Sequence, residues 1–119
     1  MVTVRAGARP EARALEAAVE LLRALGAPNR LAIVLELAQG PRCVHELVHR
    51  LGISQSLASQ HLRVLRTSGL AVSTRRGKET VYSLADEHVA HIARDALAHG
   101  AEPTRSLQHE EHQEEEHEA

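Results

Sequence analysis

Between Ser54 and Leu84 the spacing of apolar residues changes once, from helical to alternating. Over SQSLASQHLRVLRTSG, Leu57, Ala58, His61, Leu62, Val64 and Leu65 gather on one side of a wheel turned by about 100° per residue. Over LAVSTRR and KETVYSL the pattern is strand-like, with Gly77 between the two segments, and reads as a β-hairpin. A helix feeding straight into a hairpin is the order that the rest of the chain must accommodate.

Upstream, Leu15, Val19, Leu22 and Leu25 fall near helical spacing in a segment from Glu11 to Leu25. Gly26 and Pro28 punctuate it, and Pro28 suits the first turn of a second helix, NRLAIVLELAQ, apolar on most sides and therefore expected to be buried. Gly40-Pro41 ends that helix. A short helix follows from about Cys43 to Leu51, with Val44, Leu47, Val48 and Leu51 inward, and Gly52-Ile53 breaks it. Ser54 has N-cap chemistry for the next helix and Gly69 fits its C′ position. A last helix runs from about Asp86 to Ala101, before Pro103. The sum is mainly α with a β-hairpin wing, a winged helix–turn–helix, over residues 11–103. Residues 1–10 and the polar, low-complexity segment 104–119 are expected to be disordered.

Composition narrows the function. The chain has 119 residues, one small domain with a modest core that a shared dimer interface would reinforce. Tyr82 is the only aromatic, so the core must be Leu, Val, Ile and Ala, and a base-stacking platform for single strands is excluded. Cys43 is the only cysteine, so neither an intrachain disulfide nor a Cys-rich site within one chain can form. No apolar run approaches membrane-spanning length, and the N-terminus has no apolar signal core, so a cytoplasmic protein with no membrane partner is expected. No nucleophile–base arrangement or phosphate loop is seen, so no enzyme is expected. The formal charge of −2 hides an asymmetry. All fourteen basic residues lie in 1–105 with ten of the sixteen acidic ones, giving that stretch +4. Arg63, Arg66, Arg75, Arg76 and Lys78 cluster against Glu79 alone, which points to a polyanion partner.

The segment after Ser54 divides cleanly. Opposite its apolar side stand Gln55, Ser56, Ser59, Gln60, Arg63 and Arg66. Glutamine can pair with adenine edges, serine fits close to base or phosphate, and arginine reaches guanine or phosphate. An ordinary solvated face is the plain alternative. The preceding helix and glycine turn, and a hairpin tip bearing Arg75, Arg76 and Lys78, favour double-stranded DNA. His61, on the apolar side, reads as a packing histidine.

The last helix carries a second pattern. His88 and His99 are eleven residues apart, three turns, so both point the same way but lie about 16 Å apart along the axis. Zinc ligands sit about 2 Å from the ion, so one helix cannot bring both to it. Two antiparallel copies related by a two-fold axis can. Asp86 and His88 of one chain then face His99 and Glu102 of the other, twice over. Each site offers two imidazoles and two carboxylates, a set suited to four-coordinate Zn(II). His99 and Glu102 share a face, whereas Asp86 and His88 converge only if Asp86 is an N-cap with non-helical angles. Gly100 and Pro103 make Glu102 the least firmly held of the four. His91, Glu87, Arg94 and Asp95 read as solvated surface.

From about Leu15 to Glu102 the chain resembles the ArsR/SmtB metal-sensing winged-helix repressors, closest to the zinc-responsive SmtB-like members. APNRLAIVLELAQGPRCVHEL looks like the family's second and third helices, SQSLASQHLRVLRTSGL like its recognition helix, and TRRGKETVYSLAD like its wing. Asp86-x-His88, ten residues, His99-x-x-Glu102 is similar to the zinc-sensor motif of its last helix. The resemblance implies a homodimer through the first and last helices that holds operator DNA until Zn(II) binds. It implies base-contact roles for Gln55, Ser56, Ser59 and Gln60, and a hydrogen bond from the metal-bound His99 ring to backbone near the end of the recognition helix. Cys43 matches a cysteine used for a second, thiolate site in some relatives. The companion ligands there precede it, and here no Cys or His does, so Cys43 reads as packing and Cys43/His45 as a vestigial site. Three alternatives remain open at this point. One is a Ni(II) or Co(II) sensor completed by His109, His112 and His117 of the tail, the second a metal buffer acting through that tail, and the third a winged-helix regulator whose last-helix donors are unused.

Overall fold

The computed structural model describes residues 9–103. The expected disorder of residues 1–8 and 104–119, and the tail histidines His109, His112 and His117, lie outside the described residues. The elements are α1 (Ala12–Leu25), α2 (Pro28–Leu37), β1 (Arg42–Cys43), α3 (Val44–Leu51), α4 (Gln55–Thr67), β2 (Ala71–Arg76), β3 (Glu79–Leu84) and α5 (Glu87–Gly100).

The helix–turn–helix is written in backbone chemistry. α3 ends at Gly52, whose φ of 68° lies in the left-handed region that glycine enters without steric cost. Its N–H closes the helix onto the Val48 carbonyl at 2.9 Å. Two residues later the Ser54 hydroxyl accepts the Leu57 N–H at 3.0 Å and starts α4. α4 ends in a Schellman turn: Gly69, at φ 78°, donates to the Arg66 carbonyl, and Leu70 donates to the Leu65 carbonyl at 2.8 Å. Leu70 is itself buried, so the helix end and the start of the wing share one anchor.

β2 and β3 pair antiparallel, Ala71 opposite Leu84 and Arg76 opposite Glu79, leaving Gly77-Lys78 as a two-residue turn. The sheet has a third strand that the sequence pattern missed: β1 pairs with β3, Arg42 opposite Tyr82 and Cys43 opposite Val81, giving the order β1-β3-β2. Two residues are too few to display alternation, and this strand exists only because the chain passes β3 on its way into α3.

The core holds Ile33, Val34 and Leu37 of α2, Leu47 of α3, Leu62 and Leu65 of α4, Leu70, and Val89 and Ala93 of α5. The expected inward face of α3 is confirmed, with Leu47 buried and Val44, Val48 and Leu51 half-buried. Val64 departs from the wheel: it is 37% exposed, because α4 is covered from one side only and Val64 lies at the margin. α1 departs more. Its stripe ends buried at Leu25, but Leu15, Val19 and Leu22 stand 37, 41 and 56% exposed, and Leu97 on α5 is 54% exposed.

Leu62 is fully enclosed, so Leu62→Ala is expected to destabilise the fold by about 2–5 kcal/mol. Ser54→Ala removes one cap and is expected to cost about 1 kcal/mol. Urea unfolding at fixed chain concentration checks the order; equal effects would show that α4 is not anchored as described.

Candidate functional site

Two groups of side chains stand out on this scaffold. The first surrounds α4. With Leu62 and Leu65 held in the core, Gln55, Ser56, Ser59, Gln60 and Arg63 all project to solvent. An open groove of about 660 Å³ runs along this face, and Arg30, Ser56, Ser59, Gln60, His61 and Arg63 line it. At the wing tip Arg75, Arg76 and Lys78 are exposed, and Arg75 Nε donates to the Gly77 carbonyl at 3.4 Å. The sequence-chosen nucleic-acid residues therefore fall on two surfaces, the outer face of α4 and the end of the β2–β3 turn.

His61 is more than packing. It is half-buried, and its Nδ1 lies 3.4 Å from Arg30 Nη1. Burial pushes its pKa below the ordinary histidine value of 6.5, and the Arg30 guanidinium lowers it further. Arg30 also donates through Nε to the Ala24 carbonyl at 2.6 Å, in the last turn of α1. Sequence reasoning passed over Arg30. The signal was there: a cation in the first turn of an otherwise apolar helix opposes the helix dipole and must find partners elsewhere.

The second group is on α5. Asp86 is its N-cap, with the extended angles φ −161°, ψ 178°, and its Oδ1 accepts the Val89 N–H at 3.2 Å. This is the geometry required for Asp86 and His88 to meet, and their Oδ1 and Nδ1 are 3.5 Å apart. At the other end His99 Nδ1 lies 3.7 Å from Glu102 Oε1. Gly100 stays within the helix, and the Glu102 N–H reaches the His99 carbonyl at 3.2 Å. All four side chains are exposed. Among the described residues of one chain, no three Cys, His, Asp or Glu side chains come together as a metal-holding group. The donors occur as two pairs at opposite ends of one helix.

Other positions sort as follows. His91 is exposed, its Nε2 4.0 Å from Glu87. Arg94 is not merely solvated surface: its Nη2 donates to the Ala38 carbonyl at 3.2 Å and ties α5 to the end of α2. Periodicity could not reveal this, because the acceptor is backbone 56 residues away. Cys43 is buried, and its N–H donates to the Glu46 carboxylate at 2.9 Å, which holds that carboxyl below its usual range. His45 is exposed on α3. No helix among the described residues is long and apolar enough to cross a membrane.

His61 yields a signed expectation. Its folded pKa lies below the unfolded value, so the unfolded chain takes up the proton first as pH falls. The associated stability is fully present above pH 6.5 and is lost as pH drops through the depressed folded value. Urea unfolding at a series of pH values should therefore show a steeper acid-side loss in the wild type than in His61→Asn. Parallel curves would mean that His61 is not held neutral by its surroundings.

Residues 27–73, which span α2 to the start of β2, match the model of "Bacterial regulatory protein, arsR family". Among curated relatives, the HTH-type transcriptional repressor SmtB of Mycobacterium tuberculosis is 54% identical over 95 residues, covering 80% of this chain and 70% of the relative. The HTH-type transcriptional regulator NmtR of the same species is 41% identical over 95 residues, covering 80% of this chain and 79% of the relative. Among solved structures, the homodimeric winged helix-turn-helix DNA-binding domain Mb0332 from Mycobacterium bovis superposes with a TM-score of 0.71 at 28% identity, covering 96% of this chain and 99% of that one. These are regulators of transcription and not enzymes. With a helix–turn–helix carried by Gly52 and Ser54 and a wing carried by β2 and β3, the chain belongs to the ArsR/SmtB family of transcriptional repressors.

Proposed function

We propose that the chain is a Zn(II)-responsive repressor that binds operator DNA as a homodimer and is released when zinc is bound across the dimer. One observation carries the reading. Two exposed donor pairs, Asp86/His88 and His99/Glu102, sit at opposite ends of a single helix, about 16 Å apart by helix rise. Each pair is half of a four-ligand set, and among the described residues no other donors of the same chain join it, so a second chain supplies the other half. The uncovered apolar residues Leu15, Val19, Leu22 and Leu97 lie on α1 and α5 and favour a partner helix there. A 14-residue helix such as α1 is marginal alone in water, so such cover also accounts for its formation.

The donors fit the ion. Two imidazole nitrogens and two carboxylates from a pair of chains complete a tetrahedral set for Zn(II), with Co(II) and Ni(II) as competitors distinguished by geometry. Bound zinc would supply a fixed link between the two α5 helices. Asp86 contributes the oxygen left free by its capping bond to Val89. α5 packs on α2 and is tied to it by Arg94, while α2 packs on α4. A change in the α5 pairing is thereby passed to the spacing of the two α4 helices, which must match two half-sites on the operator. On each half-site Gln55, Ser56, Ser59 and Gln60 read base edges, Arg63 reaches base or phosphate, and Arg75, Arg76 and Lys78 hold the backbone beside it. Operator DNA as partner implies action in the cytoplasm.

Zinc is expected to weaken operator binding by the wild type by roughly 5- to 150-fold, a usual range for allosteric coupling. His99→Ala is expected to bind DNA and lose the response, while His91→Ala and a chain ended after Arg105 keep it. Fluorescence anisotropy with and without Zn(II) checks this. A normal response in His99→Ala, or none in the wild type, would sink the proposal; loss on truncation alone would move sensing to the tail histidines.

A further inference from the structure

We infer that Arg30, with His61 beside it, is a binding site for a phosphate of the DNA backbone, set into the groove next to the reading face of α4. The inference rests on the DNA-binding reading above and adds to it two residues from outside the exposed polar face.

Arg30 is unusual among the cations of this chain. It is half-buried on the first turn of α2, yet among the described residues it pairs with no carboxylate. Its guanidinium has five N–H donors. One is spent on the Ala24 carbonyl and one faces His61 Nδ1, which leaves three with no protein acceptor among the described residues. These two contacts hold the side chain to the end of α1 and to α4, so little rotamer freedom remains to be lost on binding. His61 is fixed in turn. Arginine offers no acceptor, so Nδ1 must accept and the ring proton resides on Nε2, making His61 a donor as well.

The rest of the groove has the same bias. Ser56, Ser59, Gln60 and Arg63 complete its polar lining, and among the described residues no carboxylate lines it. α2 begins at Ala27 and Pro28 with no side-chain cap, so its partial positive charge adds to that of Arg30. Two guanidinium groups, hydroxyls and an imidazole N–H around an open groove match a phosphate diester. The groove borders the residues that read base edges, so the phosphate it takes belongs to the strand that α4 contacts. A half-buried arginine with prefixed geometry would set the angle at which α4 enters the major groove, whereas the exposed wing cations contribute attraction with little register.

The test is the salt dependence of binding by the zinc-free full chain to an operator duplex and to an unrelated duplex. Each phosphate contact adds about 0.9 to the slope of log affinity against log salt. Arg30→Gln is expected to lower the slope by about 0.9 per protomer on both duplexes and to weaken the operator at least as much as the unrelated duplex. Arg30→Lys should keep most of the slope and weaken operator binding, because the charge stays and the fork is lost. Gln60→Ala should do the reverse, relaxing operator preference at unchanged slope. NMR of the wild type, which requires no variant to fold, should show the Arg30 guanidinium and His61 ring signals shifting when the unrelated duplex is added. An unchanged slope in a folded Arg30→Gln, or unmoved signals in the wild type, overturns this inference and leaves DNA reading by α4 intact. No DNA binding by the wild type overturns both.

Discussion

The outward-facing surface of this protein exists because Leu62 and Leu65 face inward. These two residues pin α4 to Ile33, Val34 and Leu47 in a core without a single buried aromatic ring. Once they are fixed, helical geometry alone decides that Gln55, Ser56, Ser59, Gln60 and Arg63 point to solvent. The Schellman turn extends the same anchor by one residue. Leu70 is tied by its N–H to the Leu65 carbonyl, buried by its side chain, and bonded through its carbonyl to the Ala85 N–H. α4, the wing and the entry to α5 are therefore referenced to one small cluster of leucines.

Much of this was legible in the sequence, where local chemistry dictates the outcome. Gly52, Ser54, Gly69 and Gly77 mark element ends by rules that act over a few residues, and each stands where those rules place it. The convergence of Asp86 and His88 was legible too, as a condition on one set of backbone angles that the structure meets. What escaped was decided at long range. β1 is a strand only because β3 passes beside it. Arg94 is a tie only because the Ala38 carbonyl is near. Arg30 looked like a polar interruption in an apolar helix, and its meaning comes from the Ala24 carbonyl and His61 on two other helices. Val64 fell on the apolar side of the wheel but outside the arc that α2 and α3 cover.

The polar and apolar features of α5 answer to different demands. Val89, Ala90 and Ala93 face the core and give the helix one orientation relative to α2. The Asp86/His88 and His99/Glu102 pairs lie away from that contact and are exposed. Asp86 has a second role, since the carboxylate proposed as a ligand also starts the helix. If Asp86 binds metal as proposed, metal affinity and helix initiation would be linked at that residue, with the carboxylate already oriented by its capping bond.

The uncovered stripe on α1 carries a consequence for how such a protein would behave in a cell. On the proposed function, a lone chain would hold half of each metal site and one DNA-facing helix, so it could neither sense metal nor grip a two-part operator. Both abilities would then arise together when two chains meet, and the number of competent particles at low abundance would grow as the square of the number of chains. A repressor of this design is silent when scarce and becomes effective over a narrow range of copy number. If Leu15, Val19 and Leu22 form the seam between two chains, they would set a threshold of expression as well as a shape.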